Sequence, residues 1–547
     1  MKPYNAKEIE EKWQKIWSDN KSHESIDDYS MPKKYVVPMF YYPSGSIHMG
    51  HMRCYTISDV IARYWRNKGY NVCHPMGADS FGSPAETAAI QRGIHPQEWT
   101  RSNIKNMKDQ MNRMGISFDW SKEISTCEVD YWKHEQKFFV DMWKAGFVDR
   151  KVGFVNWDPV DETVVSNEQV INGKGWRTGA VIEKKEMTQY YFKTTMFAQD
   201  MYDSIAEVDD KWPEIITKQQ RQFIKNGVVN GDVVTPYSDW CISRQKYWGT
   251  PIPMVHCDSC GIVPEKEENM PIVAPMDVEF SGKGSPIENH PTWKNCKCPV
   301  CGKDAVRETD TMDTFVQSSW YFIRYISDFC GGSFDWEKIK YWFPIDYYIG
   351  GPEHSTGHMI FSRFFWRVFK KMGYIPSDMG ADPFGKVICQ GMVKNGGKKM
   401  SKSAGNGVAP DEIINTWGSD ISRGHIIFAG PIDQDIEWND KNIIGVSRFV
   451  NKFYSSYFKI KDMINIKDEK SESNAINKIN IFKNRIEDIY ERTYRFNIII
   501  SSIMECYNYT SKTTNPEIWK YFYKVSIKAM SPIMPHVCAE MEEYSHF

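Results

Sequence analysis

The sequence predicts an α/β fold in which an inserted domain divides a parallel sheet and a helical region follows it. Between residues 35 and 76 an apolar run, a helical pattern and a second apolar run follow one another. A strand, a helix and a strand at this spacing form a βαβ unit, which requires parallel pairing. Two CxxC pairs lie in a Pro/Gly-rich middle region, and apolar runs return at 346–350 and 387–393.

The chain has 547 residues, which is too long for one hydrophobic core. We predict five segments: the first half of the sheet (1–117), a connective insertion (118–240), a metal-binding module (241–312), the second half of the sheet (313–425) and a helical bundle (426–547). With 41% hydrophobic residues and a net charge of -2, the composition is that of a globular protein without a global basic field. Thirteen cysteines and the lack of a spanning apolar run favour the cytoplasm and no membrane contact.

The first strand and helix are joined by a short turn containing His48-Met49-Gly50-His51. The first backbone N–H groups of a helix and its dipole favour negative charge, so this turn predicts a phosphate site. His48 and His51 would both face that site, and Gly50 leaves room for a nucleotide. The alternative is that the two histidines only cap the helix.

Asp79 follows the second strand, predicted at 70–76. The carboxyl ends of parallel strands are where ligands bind in α/β sheets, and a carboxylate there suits an ammonium group of a second substrate. A turn-capping role is the alternative for Asp79.

Two CxxC pairs, separated by a polar loop, predict a structural zinc site in the middle region. Its ligands would be Cys257, Cys260, Cys298 and Cys301, and the sequence leaves open whether Cys296 or His256 replaces one of them. Four protein ligands leave no open coordination position, so we expect this metal to stabilise the module and not to react.

Two polar segments follow the later strands. After the strand at 346–350, a helix is predicted from His354 to Lys371, with His354 and His358 on one face as packed side chains or a metal half-site. After the strand at 387–393, a loop interleaves lysines with Gly and Ser over residues 394–406. Such a loop either closes on polyphosphate or is an ordinary solvated surface loop.

The His48-Met49-Gly50-His51 turn and the Lys399-Met400-Ser401-Lys402-Ser403 loop together resemble the two signatures of class I aminoacyl-tRNA synthetases. The wider sequence, from about residue 4 to about residue 536, resembles the leucyl-tRNA synthetases, for example in Ser243-Arg244-Gln245-Lys246-Tyr247-Trp248-Gly249. This resemblance implies a Rossmann-type parallel sheet with an inserted domain and a short α-helical bundle.

The resemblance also implies a reaction: an amino-acid carboxylate attacks the α-phosphorus of ATP with help from Mg²⁺, and the aminoacyl group then passes to tRNA. It assigns the catalytic roles to His48, His51, Lys399 and Lys402, with Gly50, Glu353, Met400 and Ser401 also at the nucleotide. It assigns the amino acid, leucine or a related one, to Phe40, Tyr42, Asp79, Phe315, Tyr321, Tyr348, His354 and His358.

The sequence departs from this family in four places. Only a short segment lies between Gln222 and Asp239, where leucyl enzymes usually insert a hydrolytic editing domain. The sequence ends at Phe547, where the family normally completes its helical bundle and adds a C-terminal domain that binds tRNA, so we expect weaker tRNA binding. Cysteines common near Trp157 and Trp176 are absent, so a second zinc site is not expected. Around the amino-acid pocket, Ser355-Thr356-Gly357 replaces a usually aliphatic trio, Phe40 stands where leucine is common and Ala78 stands where tryptophan is. The smaller and more polar lining suggests a substrate other than plain leucine.

Three functions are therefore weighed. The first is an ATP-dependent, monomeric leucyl-tRNA synthetase-like enzyme. The second is a ligase of specialised metabolism that passes the adenylate to an amine or a carrier thiol. The third is a non-catalytic sensor of amino acid or RNA, against which the histidines and lysines argue, because a sensor has no need of a loop that clamps pyrophosphate.

Overall fold

The computed structural model describes residues 4–43, 45–165, 169–230, 233–235, 237–280, 285–400 and 408–544. Within these ranges no helix has the length and apolar character needed to cross a membrane.

Helices and short strands follow one another along these ranges. The helices, in chain order, are α1 (Ala6–Asp19), α2 (Met49–Asn67), α3 (Ser83–Ile90), α4 (Pro96–Arg113), α5 (Val129–Lys144), α6 (Ala198–Asp203), α7 (Glu214–Asn226), α8 (Pro286–Asn289), α9 (Phe315–Ser318), α10 (Tyr321–Arg324), α11 (Trp336–Trp342), α12 (His358–Lys371), α13 (Pro410–Trp417), α14 (Ser419–Phe428), α15 (Asp440–Tyr457), α16 (Glu469–Lys483), α17 (Ile486–Asp488), α18 (Asn497–Thr510), α19 (Pro516–Met530) and α20 (Pro535–Glu543). The strands are β1 (Lys33–Pro38), β2 (Asn71–Cys73), β3 (Pro75–Ala78), β4 (Asp119–Ser125), β5 (Val148–Asp158), β6 (Thr163–Val165), β7 (Val170–Ile171), β8 (Lys174–Gly175), β9 (Glu183–Phe192), β10 (Val228–Asn230), β11 (Val233–Thr235), β12 (Trp240–Cys241), β13 (Ser243–Arg244), β14 (Met254–Cys257), β15 (Gly261–Pro264), β16 (Asn295–Lys297), β17 (Asp304–Arg307), β18 (Thr311–Met312), β19 (Ile345–Gly350), β20 (Phe384–Cys389), β21 (Val393–Asn395), β22 (Lys398–Lys399) and β23 (Ile436–Glu437).

A parallel sheet forms the centre of the molecule. Its strands lie in the order β2–β1–β19–β20, and β3 continues the edge beyond β2, where Tyr41 bridges to Ala78. β4 pairs in parallel with β3, so the sheet extends past residue 117, where the sequence analysis places the first boundary. Tyr35, Val36 and Val37 are fully buried because helices cover both faces of β1. The predicted α/β class is confirmed.

Two hydrophobic cores lie on the two faces of this sheet. One core joins α2 to the later helices α14–α20, and the other joins α5 to α9–α12 and to the insertion. α2 therefore lies between the sheet and the helical bundle, which explains why nearly every residue from its first turn to Trp65 is buried.

The insertion contributes two four-stranded antiparallel sheets. In the first, β5 and β9 form a long ribbon that β6 and β12 flank; in the second, four short strands in the order β15–β14–β17–β16 hold the CxxC pairs. The two CxxC pairs thus lie on a sheet that is separate from the central one.

Three predicted elements differ from the structure. The strand predicted at 70–76 is two strands, β2 and β3, with His74 between them. The strand predicted at 387–393 is two strands, β20 and β21, because the chain turns away from the sheet after Cys389. The helix predicted from His354 begins at His358, since Pro352–His354 form a separate 3-10 turn.

Candidate active site

A cleft opens at the carboxyl ends of β1 and β19. These two strands lie at the centre of the sheet, and the next strands, β2 and β20, are added on opposite sides of them. Ligands of open α/β sheets bind at such a point. The cleft encloses about 930 Å³ including its solvent-filled mouth, and the lining residues come from the first turn of α2, from the ends of both strands and from the segment before β21. These include Tyr42, His48, Gly50, His51, Glu353, His354 and Met400.

The two histidines form a reciprocal cap on α2. His48 Nδ1 accepts hydrogen bonds from the backbone N–H of Gly50 (3.1 Å) and of His51 (3.4 Å), and His51 Nδ1 accepts one from the N–H of His48 (3.2 Å). The first helix N–H groups are thus occupied by His48 itself, which corrects the prediction that they form an open phosphate site. The stacked imidazoles, with ring centroids 3.9 Å apart, line the cleft in their place.

Gly50 is required by this arrangement. A Cβ atom on Gly50 would lie 2.8 Å from Cε1 of His48, closer than real Cβ contacts allow. The glycine therefore admits the His48 ring into its capping position, in addition to the predicted room for a ligand.

Asp79 follows the end of β3, lies beside Tyr42 of the cleft lining and is 1% exposed. Its Oδ1 accepts hydrogen bonds from the hydroxyls of Thr314 (3.3 Å) and Thr126 (3.5 Å), whereas its Oδ2 has no hydrogen-bond partner among the described residues. Burial raises the pKa of Asp79 well above its ordinary value, against the lowering effects of Thr314 and Tyr42. A buried carboxylate oxygen without a donor fits the predicted contact with an ammonium group.

The residues predicted to surround the amino-acid side chain form one aromatic wall. Phe40 stacks on Tyr321 with ring centroids 3.9 Å apart, and the hydroxyl of Tyr321 meets that of Tyr348 at 2.9 Å. Tyr348 is hydrogen-bonded to Nε2 of His358, and Nδ1 of His358 lies 3.1 Å from the hydroxyl of Ser318. Burial lowers the pKa of His358 to about 3 and raises that of Tyr348, so this wall is uncharged at neutral pH.

His354 and His358 do not share a helical face, because His354 lies in the 3-10 turn before α12. Their rings are 6.4 Å apart and nearly perpendicular, and no described group that could hold a metal includes them. The prediction of one helical face is therefore wrong. The ring of Phe315 lies against Gly357, where an added Cβ would meet it at 3.5 Å.

Ser355 does not make the pocket polar. Its hydroxyl donates to Oε1 of Gln219 at 2.5 Å, and its carbonyl accepts from Nε2 of Gln220 at 3.0 Å, so both groups are engaged by α7 of the insertion. The sequence argument against leucine, which counted this hydroxyl as pocket lining, loses the part that rests on Ser355.

The lysine hairpin, defined here as β21 and β22 with the residues that follow to Met400, reaches the same cleft. Met400 is 3% exposed, donates its N–H to the carbonyl of Val393 at 3.0 Å and lines the cleft beside the histidines. Lys399 is described for its backbone alone, and Ser401 and Lys402 lie outside the described residues.

The four predicted cysteine ligands converge. The Sγ atoms of Cys257, Cys260, Cys298 and Cys301 lie within 4.8 Å of one another, and backbone N–H groups of Cys301 and Val300 lower the pKa of Cys298 to about 6. His256 instead pairs with Glu308, its Nε2 lying 2.9 Å from the carboxylate, and Cys296 is outside the group. The structure thus favours the four-cysteine set among the alternatives.

Three residues of the site were missed in the sequence. Thr314 and Thr126 donate to Asp79, and Arg53 of α2 contacts the base of the lysine hairpin. Thr314 could have been suspected from the sequence, because it precedes Phe315, a predicted pocket residue. Nothing in a helical pattern marks Arg53 as buried.

The whole sequence was compared with protein families and with known proteins. Residues 12–439 match the family model described as tRNA synthetases class I (I, L, M and V). The chain is 33% identical to a leucine–tRNA ligase of a Nitratiruptor species (98% of this chain, 89% of the relative) and 34% identical to one of Campylobacter jejuni (99% and 90%). The first alignment spans 737 positions against the 547 residues of this chain, so that relative has internal segments without a counterpart here.

Among solved structures, the chain is similar to the Agrobacterium radiobacter K84 LeuRS in a ternary complex with tRNA and LeuAMS. The TM-score is 0.89 at 27% identity, over 100% of this chain and 89% of that one. A Mycobacterium tuberculosis methionyl-tRNA synthetase with methionyl-adenylate shares the fold at a TM-score of 0.66 and 18% identity, over 94% of both chains.

Proposed function

The chain belongs to the class I tRNA synthetases, and from that premise we propose that it activates leucine with ATP and transfers the leucyl group to tRNA. In the first step a leucine carboxylate oxygen bonds to the α-phosphorus of ATP, the bond from that phosphorus to the bridging oxygen breaks, and pyrophosphate leaves. In the second step a ribose hydroxyl at the end of tRNA attacks the leucyl carbonyl and AMP leaves.

Leucine is held by two kinds of surface. Asp79 Oδ2, buried and without a described donor, accepts the α-ammonium group, while Phe40 and Tyr321 contact the apolar side chain. This fixes the carboxylate at the mouth of the cleft, toward the histidine turn. Holding two reactants in an attack geometry removes much of the entropic barrier.

The phosphates are held by groups that offset negative charge. His48 and His51 contact the nucleotide at the first turn of α2, and the β- and γ-phosphates are assigned to Lys399 and Lys402. Phosphoryl transfer needs little covalent help from protein, so catalysis rests on positioning and charge stabilisation. Mg²⁺ bound with ATP would offset further charge on the departing pyrophosphate.

The four cysteines fit Zn²⁺. Tetrahedral coordination with Zn–S bonds of about 2.3 Å places sulfur atoms roughly 3.8 Å apart, and Cys257 Sγ and Cys301 Sγ are 3.6 Å apart. Four thiolate ligands make this a structural ion that holds β14–β17 together. Unoxidised thiols also suit a reducing compartment such as the cytoplasm.

The strongest support for this function is the convergence of three distant segments on one cleft: the histidine turn, Glu353 and His354 after β19, and Met400 at the end of the lysine hairpin. Asp79 lies next to Tyr42 of the same lining. The test is leucine-dependent exchange of labelled pyrophosphate into ATP, followed by charging of tRNA. We expect Lys402→Ala to lower exchange by about 100-fold, as removal of one preorganised charge contact does. Lys398→Ala, on the exposed part of the same hairpin, is the matched control and should retain activity.

Two outcomes would contradict the proposal. Absence of exchange with any amino acid would favour the sensor, and exchange without charging, but with transfer to small amines or a carrier thiol, would favour the ligase of specialised metabolism.

A further inference from the structure

We propose that Arg53 is a positioning residue that holds the lysine hairpin at its working distance from the histidine turn; this rests on the proposed roles of the histidines and lysines. Arg53 lies on α2 two residues after His51 and is 1% exposed. Its side chain points away from solvent toward the base of the hairpin. It therefore connects the two segments that must close on the triphosphate.

The guanidinium of Arg53 bridges two stretches of main chain with both of its terminal nitrogens. Nη1 donates to one stretch and Nη2 to the other, and all the acceptors are backbone carbonyls. They are Gly391 (3.0 Å) and Met392 (3.3 Å) for Nη1, and Pro431 (2.9 Å), Ile432 (3.3 Å) and Gln434 (2.7 Å) for Nη2. The planar guanidinium group can make such a bridge because its two terminal nitrogens donate in fixed and different directions. The ammonium group of a lysine has only one nitrogen and cannot contact both stretches in the same way.

These two stretches are the ones that support the hairpin. β21 pairs with β23 directly after them, and the N–H of Met392 donates to Asp435 Oδ1 at 2.8 Å. The N–H of Gly397, at the tip of the hairpin, donates to Glu437 Oε1 at 3.1 Å. A displacement of the segment 431–437 is therefore transmitted to the hairpin through several bonds.

The two stretches of main chain that Arg53 bridges are closely packed against each other. A Cβ on Gly391 would lie 2.2 Å from the carbonyl carbon of Gln434, so the two backbones are already in close contact. Burial lowers the pKa of Arg53 to about 10, which leaves the side chain charged at neutral pH. Charged donors to carbonyls form the stronger class of hydrogen bond, so the bridge is stiff.

The test compares two arginines of the same helix in the full-length enzyme. Arg66 also donates to backbone carbonyls, those of His23 (3.1 Å) and Ser117 (3.2 Å), but at the end of α2 far from the cleft. We expect Arg53→Lys to lower kcat of pyrophosphate exchange by about 10- to 100-fold, because small misplacements of reacting groups cost this much. The KM for leucine should stay unchanged. Arg66→Lys should lower the melting temperature comparably and leave kcat within about twofold.

A double substitution shows whether Arg53 acts through the lysines. In a Lys402→Ala background, Arg53→Lys should lower kcat by no more than about twofold, since the contact it positions is already gone. The inference is overturned if the double variant loses kcat by the product of the two single losses. It is also overturned if Arg66→Lys lowers kcat as much as Arg53→Lys does. A Lys402→Ala enzyme with normal kcat would overturn it as well.

A second variant covers the case in which Arg53→Lys does not fold. Asp435 is exposed and binds the N–H of Met392 and the ammonium group of Lys394 at the same junction, so Asp435→Ala removes both contacts and leaves the core intact. It should lower kcat by about threefold to tenfold with an unchanged KM for leucine, and an unchanged kcat would count against the role of the junction. Failure of the unmodified chain to exchange pyrophosphate would instead reject the proposed function itself.

Discussion

Replacing Asp79 with Asn should make the unliganded protein more stable and the enzyme much worse at using leucine. The Asp79 carboxylate is 1% exposed, and its Oδ2 has no hydrogen-bond partner among the described residues. Burial raises its pKa, which means that the ionised form destabilises the fold at every pH above the ordinary value for aspartate. A buried charge without a donor costs more than a neutral amide in the same place, so Asp79→Asn should raise the free energy of unfolding by about 1 to 3 kcal/mol.

The same substitution removes the charge that pairs with the α-ammonium group of leucine. Losing one partner of a buried charged hydrogen bond costs about 2 to 5 kcal/mol, and each 1.4 kcal/mol is tenfold. We therefore expect kcat/KM for leucine to fall by about 30- to 3000-fold in pyrophosphate exchange at saturating ATP. The KM for ATP should not change, because Asp79 belongs to the amino-acid side of the cleft.

Asp119 provides the matched control, because it is a buried carboxylate of the same strand pair but lies at the amino end of β4, away from the cleft. It is fully buried, but both of its oxygens are satisfied, one by the N–H (2.9 Å) and hydroxyl (2.6 Å) of Ser25 and the other by those of Ser121 (3.2 and 2.5 Å). Asp119→Asn should lower stability by about 1 to 3 kcal/mol and leave the KM for leucine unchanged. If Asp79→Asn destabilises the apo protein as Asp119→Asn does, or keeps the wild-type leucine dependence, the ammonium assignment is wrong.

Three further results are expected. Cys260→Ser should reduce bound zinc from one ion per chain to a small fraction and make the module 241–312 sensitive to trypsin, whereas Cys296→Ser should do neither. Burial lowers the pKa of His358 to about 3. Because the unfolded state then binds a proton that the folded state does not, the wild-type protein should lose about 1.4 kcal/mol of stability per pH unit as pH falls below about 6.5. His358→Asn should remove this loss when thermal melts at pH 4.5 and pH 7 are compared. Without an editing domain, discrimination between leucine and norvaline should not exceed about 200-fold in the charged tRNA, and hydrolysis of norvalyl-tRNA by the enzyme would contradict this.

The parts of the fold that follow from local pattern could be predicted. β1 is an apolar run because both of its faces are covered, and α2 follows it with helical spacing, so the βαβ unit was visible in the sequence. The cysteine quartet was visible because metal ligands come from short, regular motifs. The pairing of β1 with β19, across more than 300 residues, rested on resemblance alone, since periodicity does not reveal strand partners.

Buried polar contacts between distant segments could not be predicted. Ser355 and Gln219 are 136 positions apart, and neither residue type indicates that the hydroxyl faces α7 and not the pocket. The cap on α2 was foreseen only as the alternative to a phosphate site, because the usual helix caps are Ser, Thr, Asp and Asn and an imidazole is not one of them. Arg53 resembled an ordinary residue on a helix surface until the base of the hairpin was seen to cover it.

The distribution of charge in the pocket explains how one cleft selects an amino acid with an apolar side chain. Burial keeps His358 neutral and raises the pKa values of Tyr321 and Tyr348, so the wall around the side chain offers hydrogen-bonded hydroxyls that are already paired and no net charge. A charged or strongly polar side chain would lose its hydration there without gaining a partner. Asp79 is the opposite case: its buried oxygen gains a partner when an ammonium group binds. The hydrogen bonds of Tyr321, Tyr348 and His358 are complete before the amino acid binds, whereas Oδ2 of Asp79 has no partner among the described residues. This difference favours an amino acid with a charged ammonium group and an apolar side chain.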